Sequence, residues 1–280
     1  MMSLERISVR RAAAAHPLAA LSTGLAMTGI GWALMWGPEW RLNPLSFTLM
    51  WTGAALSMWA LSRDGYPGVR RHLLLAAISL PVWWWFEMVN GSVRNWEYAY
   101  SFEYTRVQWA FLSSLAFSTV IPAVLSALSL VGTVVENGAI SLPDGRKKRF
   151  ARREIGLAAV LQVAVFAYPV HLYPFVWVAP FLAVDGVVGL LGGRTLASDI
   201  TTGRWRDLLV IAAAGLLCGV LWEFWNYHAT PKWVYHIPLL GFGKVFEMPV
   251  LGYGGYIPFA WSVVQLVRLS DLVAARVARR

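Results

Sequence analysis

Residues 72–90 read HLLLAAISLPVWWWFEMVN. The stretch has no Lys, Arg or Asp and a single Glu, Glu87, near its end. As a helix rising 1.5 Å per residue it would be about 28 Å long, close to the roughly 30 Å hydrocarbon core of a bilayer. Apolar side chains run all the way round it, so it reads as a helix buried in lipid and not as the one-sided helix of an aqueous domain.

Working outward, seven further apolar runs are bounded by charge or by Gly/Pro clusters, giving eight candidate spans near 17–36, 44–62, 72–90, 107–131, 154–171, 174–192, 207–226 and 250–268. The whole chain agrees: 280 residues are 58% hydrophobic and only 14% charged, where a soluble domain carries about 25% charge. The expected fold is therefore an all-α, polytopic membrane helix bundle. Cys218 is the only cysteine, which excludes a disulfide scaffold.

The net charge of +9 has a topological reading. Alternate segments hold 19 of the 24 Lys and Arg residues on the side of both termini, leaving Arg41, Arg94, Arg106, Lys232 and Lys244 on the other. By the positive-inside rule both termini face the cytoplasm, and the expected location is the inner (plasma) membrane. The basic run Arg146-Lys147-Lys148-Arg149 falls in a cytoplasmic connector, so no nucleic-acid partner is inferred from it. The first span follows Arg10 and Arg11 but lacks a small-residue cleavage site after Trp36, and is read as retained.

An offset of about 136 residues brings the chain onto itself. Trp85-Phe86-Glu87-Met88-Val89-Asn90 followed by Trp96-Glu97-Tyr98 aligns with Leu221-Trp222-Glu223-Phe224-Trp225-Asn226 followed by Trp233-Val234-Tyr235. Pro38 meets Pro174, Pro44 meets Pro180, Gly53 meets Gly189 and Ile121-Pro122 meets Ile257-Pro258. The matched residues are those that bend, narrow or polarise a membrane helix. The chain is thus expected to hold a cytoplasmic arm (1–16), a first four-helix repeat (17–131), a basic linker (132–153), a second repeat (154–268) and a tail (269–280). Even-numbered repeats enter the membrane in the same direction, related by a pseudo-twofold axis along its normal.

A carboxylic acid in a membrane helix costs about 2.5–3.5 kcal/mol even on the lenient insertion scale, so Glu87 and Glu223 need partners or a purpose. Spacing of three and four residues puts Asn90, Trp83 and Trp84 on the face of Glu87, and Asn226 on that of Glu223. Nine of the ten tyrosines map to the outer side, with Trp96, Trp222, Trp233, Phe102 and Phe246, so the outer loops near 91–106 and 227–249 are expected to form an aromatic cap. Acids beneath water-poor aromatic walls suit carbocation chemistry, in which a general acid protonates an apolar polyene and ring faces stabilise the cation. The candidate catalytic residues are Glu87 and Glu223 with Asn90 and Asn226 orienting them. Trp83, Trp84, Trp96, Tyr98, Trp222, Trp233, Tyr235, Asp185 and Glu247 are candidate substrate-binding residues.

This pattern, an intramembrane acid and Asn followed by W-x-Y and, in the second half, Phe246-Glu247-Met248-Pro249, resembles the membrane-embedded lycopene cyclase family of carotenoid biosynthesis and its hydratase relatives. The resemblance covers two short windows per half and lacks a P-x-E-E element. It implies an isoprenoid or carotenoid-like lipid substrate and acid-initiated lyase or isomerase chemistry without a cofactor.

Other polar groups read differently. His171, His228 and His236 lie in outer segments without a metal-binding spacing, so no metal is expected. Asp185 sits inside a span followed by Gly186 and Gly189, which fits either a hydrogen bond into a close helix contact or proton handling. No phosphate loop, nucleophile elbow, D-x-x-D cluster or CxxC is present. Two rival classes remain at this point: a transporter of a small molecule, ion or lipid with proton-handling acids, and a non-catalytic membrane scaffold. A homo-oligomer fits either.

Overall fold

The computed structural model describes residues 17–37, 43–99, 101, 104–133, 144–201 and 205–279. The N-terminal arm 1–16, Pro38, Arg41, Tyr100, Phe102 and linker residues 134–143 lie outside these. The order is α1 (Pro17–Met35), α2 (Asn43–Leu61), α3 (Val69–Val93), β1 (Trp96–Ala99), α4 (Arg106–Phe117), α5 (Val120–Gly132), α6 (Asp144–Ala167), α7 (Pro169–Leu172), α8 (Phe175–Leu190), α9 (Leu196–Thr201) and α10 (Trp205–Asn226). There follow β2 (Lys232–Tyr235), β3 (Lys244–Val245), β4 (Met248–Pro249), a 3-10 helix (Val250–Gly255) and α11 (Tyr256–Val277).

The described residues are mainly helical, as expected, with two short ladders as the exceptions among them. Among the described residues, five helical stretches are long and apolar enough to cross a membrane: Pro17–Met35, Val69–Val93, Arg106–Gly132, Trp205–Asn226 and Val250–Val277. Leu45–Leu61 and Phe175–Leu190 are apolar but shorter. Leu157, Val160, Val163 and Phe166, spaced along one face of α6, are all exposed, as are Leu18 and Leu25 of α1, the arrangement that an apolar solvent tolerates and water does not.

Three edges differ from the sequence reading. The basic stretch before residue 154 is helical, and α6 begins at Asp144, because Arg, Lys and Ala are good helix formers. Its far end stops at Ala167, ahead of Pro169. The run 107–131 is broken at Ser118–Thr119, where Pro122 has no N–H to offer the Ser118 carbonyl. Ser79 of α3 bridges that break: its hydroxyl donates to Phe117 O at 2.5 Å and accepts from Ile121 N at 3.1 Å.

The described residues form two compact units. The first comprises 17–133 and 217–253, and its tightest packing is α1 on α2. A Cβ on Gly53 would stand 2.6 Å from Gly24 O and from Thr28 N, and one on Gly31 2.7 Å from Met50, so the two backbones touch through missing side chains. The second comprises 144–216 and 254–279. There α6 lies on α8 through Gly186 and Gly189, whose Cβ positions fall within 3 Å of Ala151 and Ile155 atoms. This division follows packing, and it cuts across the division by repeat expected from sequence: residues 217–253 pack with the N-terminal half.

Candidate functional site

All of the duplicated acid, Asn and W-x-Y residues fall in the first unit. Helix α3 ends when Arg94 takes up a left-handed conformation (φ 53°), its N–H bonding Asn90 O. The chain turns back at once into β1. Asn90 fixes the turn: its Oδ1 accepts from Asn95 N at 2.9 Å and Trp96 N at 3.2 Å, and its Nδ2 donates to Trp96 O at 2.8 Å. Strand β1 therefore lies back over the helix end, and Trp96 and Tyr98, two residues apart, present the same face.

That face meets Glu87. Its Oε1 accepts from Tyr98 Oη at 2.6 Å, Trp83 Nε1 at 2.9 Å and Trp96 Nε1 at 3.2 Å. An indole N–H can only donate, so the three partners form a cage suited to an electron-rich oxygen. Burial, the adjacent Glu87 charge and the bond to Glu87 push the Tyr98 phenol well above its ordinary range, so it stays a donor through neutral pH. Trp109 stands edge-on to Tyr98 with ring centroids 5.1 Å apart.

The second window repeats these contacts. Asn226 Nδ2 donates to Trp233 O at 2.7 Å, and its Oδ1 accepts from Trp233 N at 2.9 Å. Glu223 Oε1 accepts from Tyr235 Oη at 2.7 Å and from Trp233 Nε1 at 3.3 Å. The loop is one residue longer and contains the cis Thr230–Pro231 bond. Phe47 stands edge-on to Trp233 at 5.9 Å.

Strands β1 and β2 pair antiparallel, Trp96 opposite Tyr235, Glu97 opposite Val234 and Tyr98 opposite Trp233. Exchanging the strands turns the first pair into the third, so a local twofold axis passes between Glu97 and Val234. The four indole and phenol rings lie on one face of the ladder, two reaching each Glu. The sets differ in access: Glu223 and Asn226 are fully buried (0%), whereas Glu87 and Asn90 are half-buried.

Several predicted residues fall elsewhere. Trp84 turns to Ser114 Oγ (3.1 Å) and the Phe117 ring, and is 38% exposed. Trp222 is buried 5.1 Å from Trp51, one residue off the face of Glu223. Glu247 pairs with Lys232 at the start of β2. Asp185 belongs to the second unit and accepts from Leu196 N, Ala197 N and the Gln265 amide. Asn90 and Asn226 bond the strands and not the acids, so they position Trp96, Tyr98, Trp233 and Tyr235, which in turn hold Glu87 and Glu223. His236 reaches Glu97 at 3.0 Å on the exposed side of the ladder, and His228 stacks edge-on to Trp36 and Tyr227. Among the described residues no three His, Cys, Asp or Glu side chains gather as a metal would require.

Sequence reasoning missed Trp109 and Phe47, which lie outside the two windows. Protein-family models, curated proteins and solved structures were all compared with the chain, and none matches.

Proposed function

We propose that the chain is an integral membrane enzyme acting on an apolar, isoprenoid- or carotenoid-like lipid. The observation that carries this reading is the pair of Glu carboxyls, each held through one oxygen by Trp and Tyr donors and joined by a ladder whose register exchanges the two sets. The same reading takes the chain as eight spans in two tandem four-helix repeats, with both termini on the cytoplasmic side of the inner membrane; what supports it is the set of helices long and apolar enough to cross a membrane.

In this reading half-buried Glu87 is the general acid. Its proton passes to a double bond of the lipid, the positive charge faces the Trp and Tyr rings, and a proton leaves a neighbouring carbon to the Glu87 carboxylate so formed, which restores the acid and yields an isomerised or cyclised product with no net gain of atoms. Fully buried Glu223 is the counterpart that fixes the second half of the ring platform. The similarity to lycopene cyclases belongs to this proposal. Its test is mass spectrometry of membrane lipids from cells expressing wild type, Glu87→Gln and Glu223→Gln at equal abundance. A lipid product present with wild type and lost with Glu87→Gln supports it. A lipid profile independent of the protein overturns it.

A second reading, a non-catalytic scaffold, is favoured by the fact that both Asn side chains spend donor and acceptor alike on strand backbone. It predicts unchanged lipids and a loss of thermal stability in the same variants.

A further inference from the structure

The second unit contains an acid pair that plays no part in the site above. Glu154 of α6 is 4% exposed and Asp185 of α8 is 0% exposed. The close backbone approach at Gly186 and Gly189 brings the two helices together, and the carboxyls of Glu154 and Asp185 lie against each other. Their surroundings are unequal. Asp185 Oδ1 accepts from Leu196 N at 2.8 Å and Oδ2 from Ala197 N at 3.0 Å, and the Gln265 amide of α11 donates to Oδ1 as well. Both oxygens of Glu154 are buried and, among the described residues, receive no donor.

The charges nearby are already engaged. Arg194 donates through Nε and Nη2 to Asp199 of α9 and through Nη2 to Asp207 of α10. Arg268 of α11 donates to Gln265 Oε1 at 3.0 Å and feels Asp199, Asp185 and Asp207 as well as Arg194. Two guanidiniums thus face Asp199 and Asp207, and the charged neighbour of Glu154 is Asp185. Two ionised carboxylates have only acceptors between them, and like charges in contact in a buried site cannot both persist. One proton turns the same contact into an O–H···O bond.

We propose that Glu154 and Asp185 form a proton-binding site, with a single proton carried on Glu154 and donated to the Asp185 carboxylate. The inequality of donors makes the assignment. Asp185 has two backbone amides, one side-chain amide and, through Gln265, Arg268 to stabilise its negative charge, and Glu154 has none of these. Asp185 also receives the first N–H groups of α9, so the proton links the contact of α6 on α8 to the segment that carries Arg194.

The test uses the full chain purified in detergent. The infrared difference between wild type and Glu154→Gln at neutral pH should contain the C=O band of one neutral carboxylic acid, shifted in D2O, with the Asp185 carboxylate bands moved in frequency by the change of partner but not lost. A net loss of carboxylate intensity with no neutral C=O band, or no carboxyl difference at all, would overturn the proposal. In Asp185→Asn, where an amide oxygen can still accept from Leu196 N, the Glu154 band should persist at a changed frequency; an unchanged frequency would overturn the pairing. Thermal midpoints give a second reading. The native pair holds a proton that the unfolded chain releases at neutral pH, so the wild-type midpoint should fall as pH rises while that of Glu154→Gln stays level. If sodium raised the wild-type midpoint above that in choline at equal ionic strength, and did not do so in Glu154→Gln, the pair would be a metal-cation site and not a proton site.

Discussion

Replacing Asn226 with Ala should cost far more than the loss of one small surface amide. Asn226 is fully buried and makes two bonds, 2.7 Å to Trp233 O and 2.9 Å from Trp233 N. Each bond is worth about 1 kcal/mol net, and a main-chain group left without a partner adds about 1–3 kcal/mol. Trp233 is half-buried, so water recovers part of this, and the expected loss is about 2–4 kcal/mol. Asn90 is itself half-buried but makes three bonds to buried Asn95 and Trp96, so the same change there should cost a similar amount. The discriminating assay is a double-mutant cycle of Asn226→Ala with Tyr235→Phe, by near-ultraviolet circular dichroism of thermal unfolding in detergent. If Asn226 positions Tyr235 against Glu223, the two changes should fall short of additivity by at least about 1 kcal/mol. Additivity within about 0.3–0.5 kcal/mol would show that the Asn holds a loop and nothing more.

Two further outcomes are expected. The Tyr98 phenol, raised by burial and by Glu87, should not ionise with the ordinary tyrosines near pH 10; its contribution to stability is complete below that pH and is lost as pH climbs toward its own higher value. Tyr98→Phe should therefore remove one phenolate from the late part of an absorbance titration and leave the early part intact. Gly53→Ala should destabilise the first unit by about 1–3 kcal/mol, because the new methyl would meet Gly24 O and Thr28 N at 2.6 Å, both backbone atoms with no rotamer to move; an unchanged thermal midpoint would contradict that packing.

Much of the fold could be read from composition and periodicity, because long apolar runs have few alternatives to helix. The break at Ser118–Thr119 was latent in Pro122 and was passed over because hydropathy does not register a missing N–H. At the site, the duplicated Glu, Asn and W-x-Y windows led to residues that do meet, since Trp83, Trp96 and Tyr98 are close in sequence to Glu87. The role of the Asn residues was not legible: helical spacing puts Asn90 beside Glu87, and only the reversal at Arg94 carries Trp96 back within its reach. Trp84 and Trp222 failed for a simpler reason. Consecutive residues point about 100° apart on a helix, so one position decides whether an indole meets the acid or its neighbours. The pairing of β1 with β2 had no signature beyond the aromatic outer loops, four residues being too few to show alternation.

That pairing also sets an order of assembly. Glu87 finds Trp96 and Tyr98 within 11 residues, and Glu223 finds Trp233 and Tyr235 within 12, so each half can close by local search. The ladder joins positions about 140 residues apart, and closing so long a loop is slow and costs entropy before any contact rewards it. During synthesis the first half must wait, its β1 edge carrying unpaired amides and carbonyls, until α10 and the segment behind it have been made. A chain stalled before residue 232 would therefore display an open strand edge, the kind of surface that recruits other strands or quality-control factors.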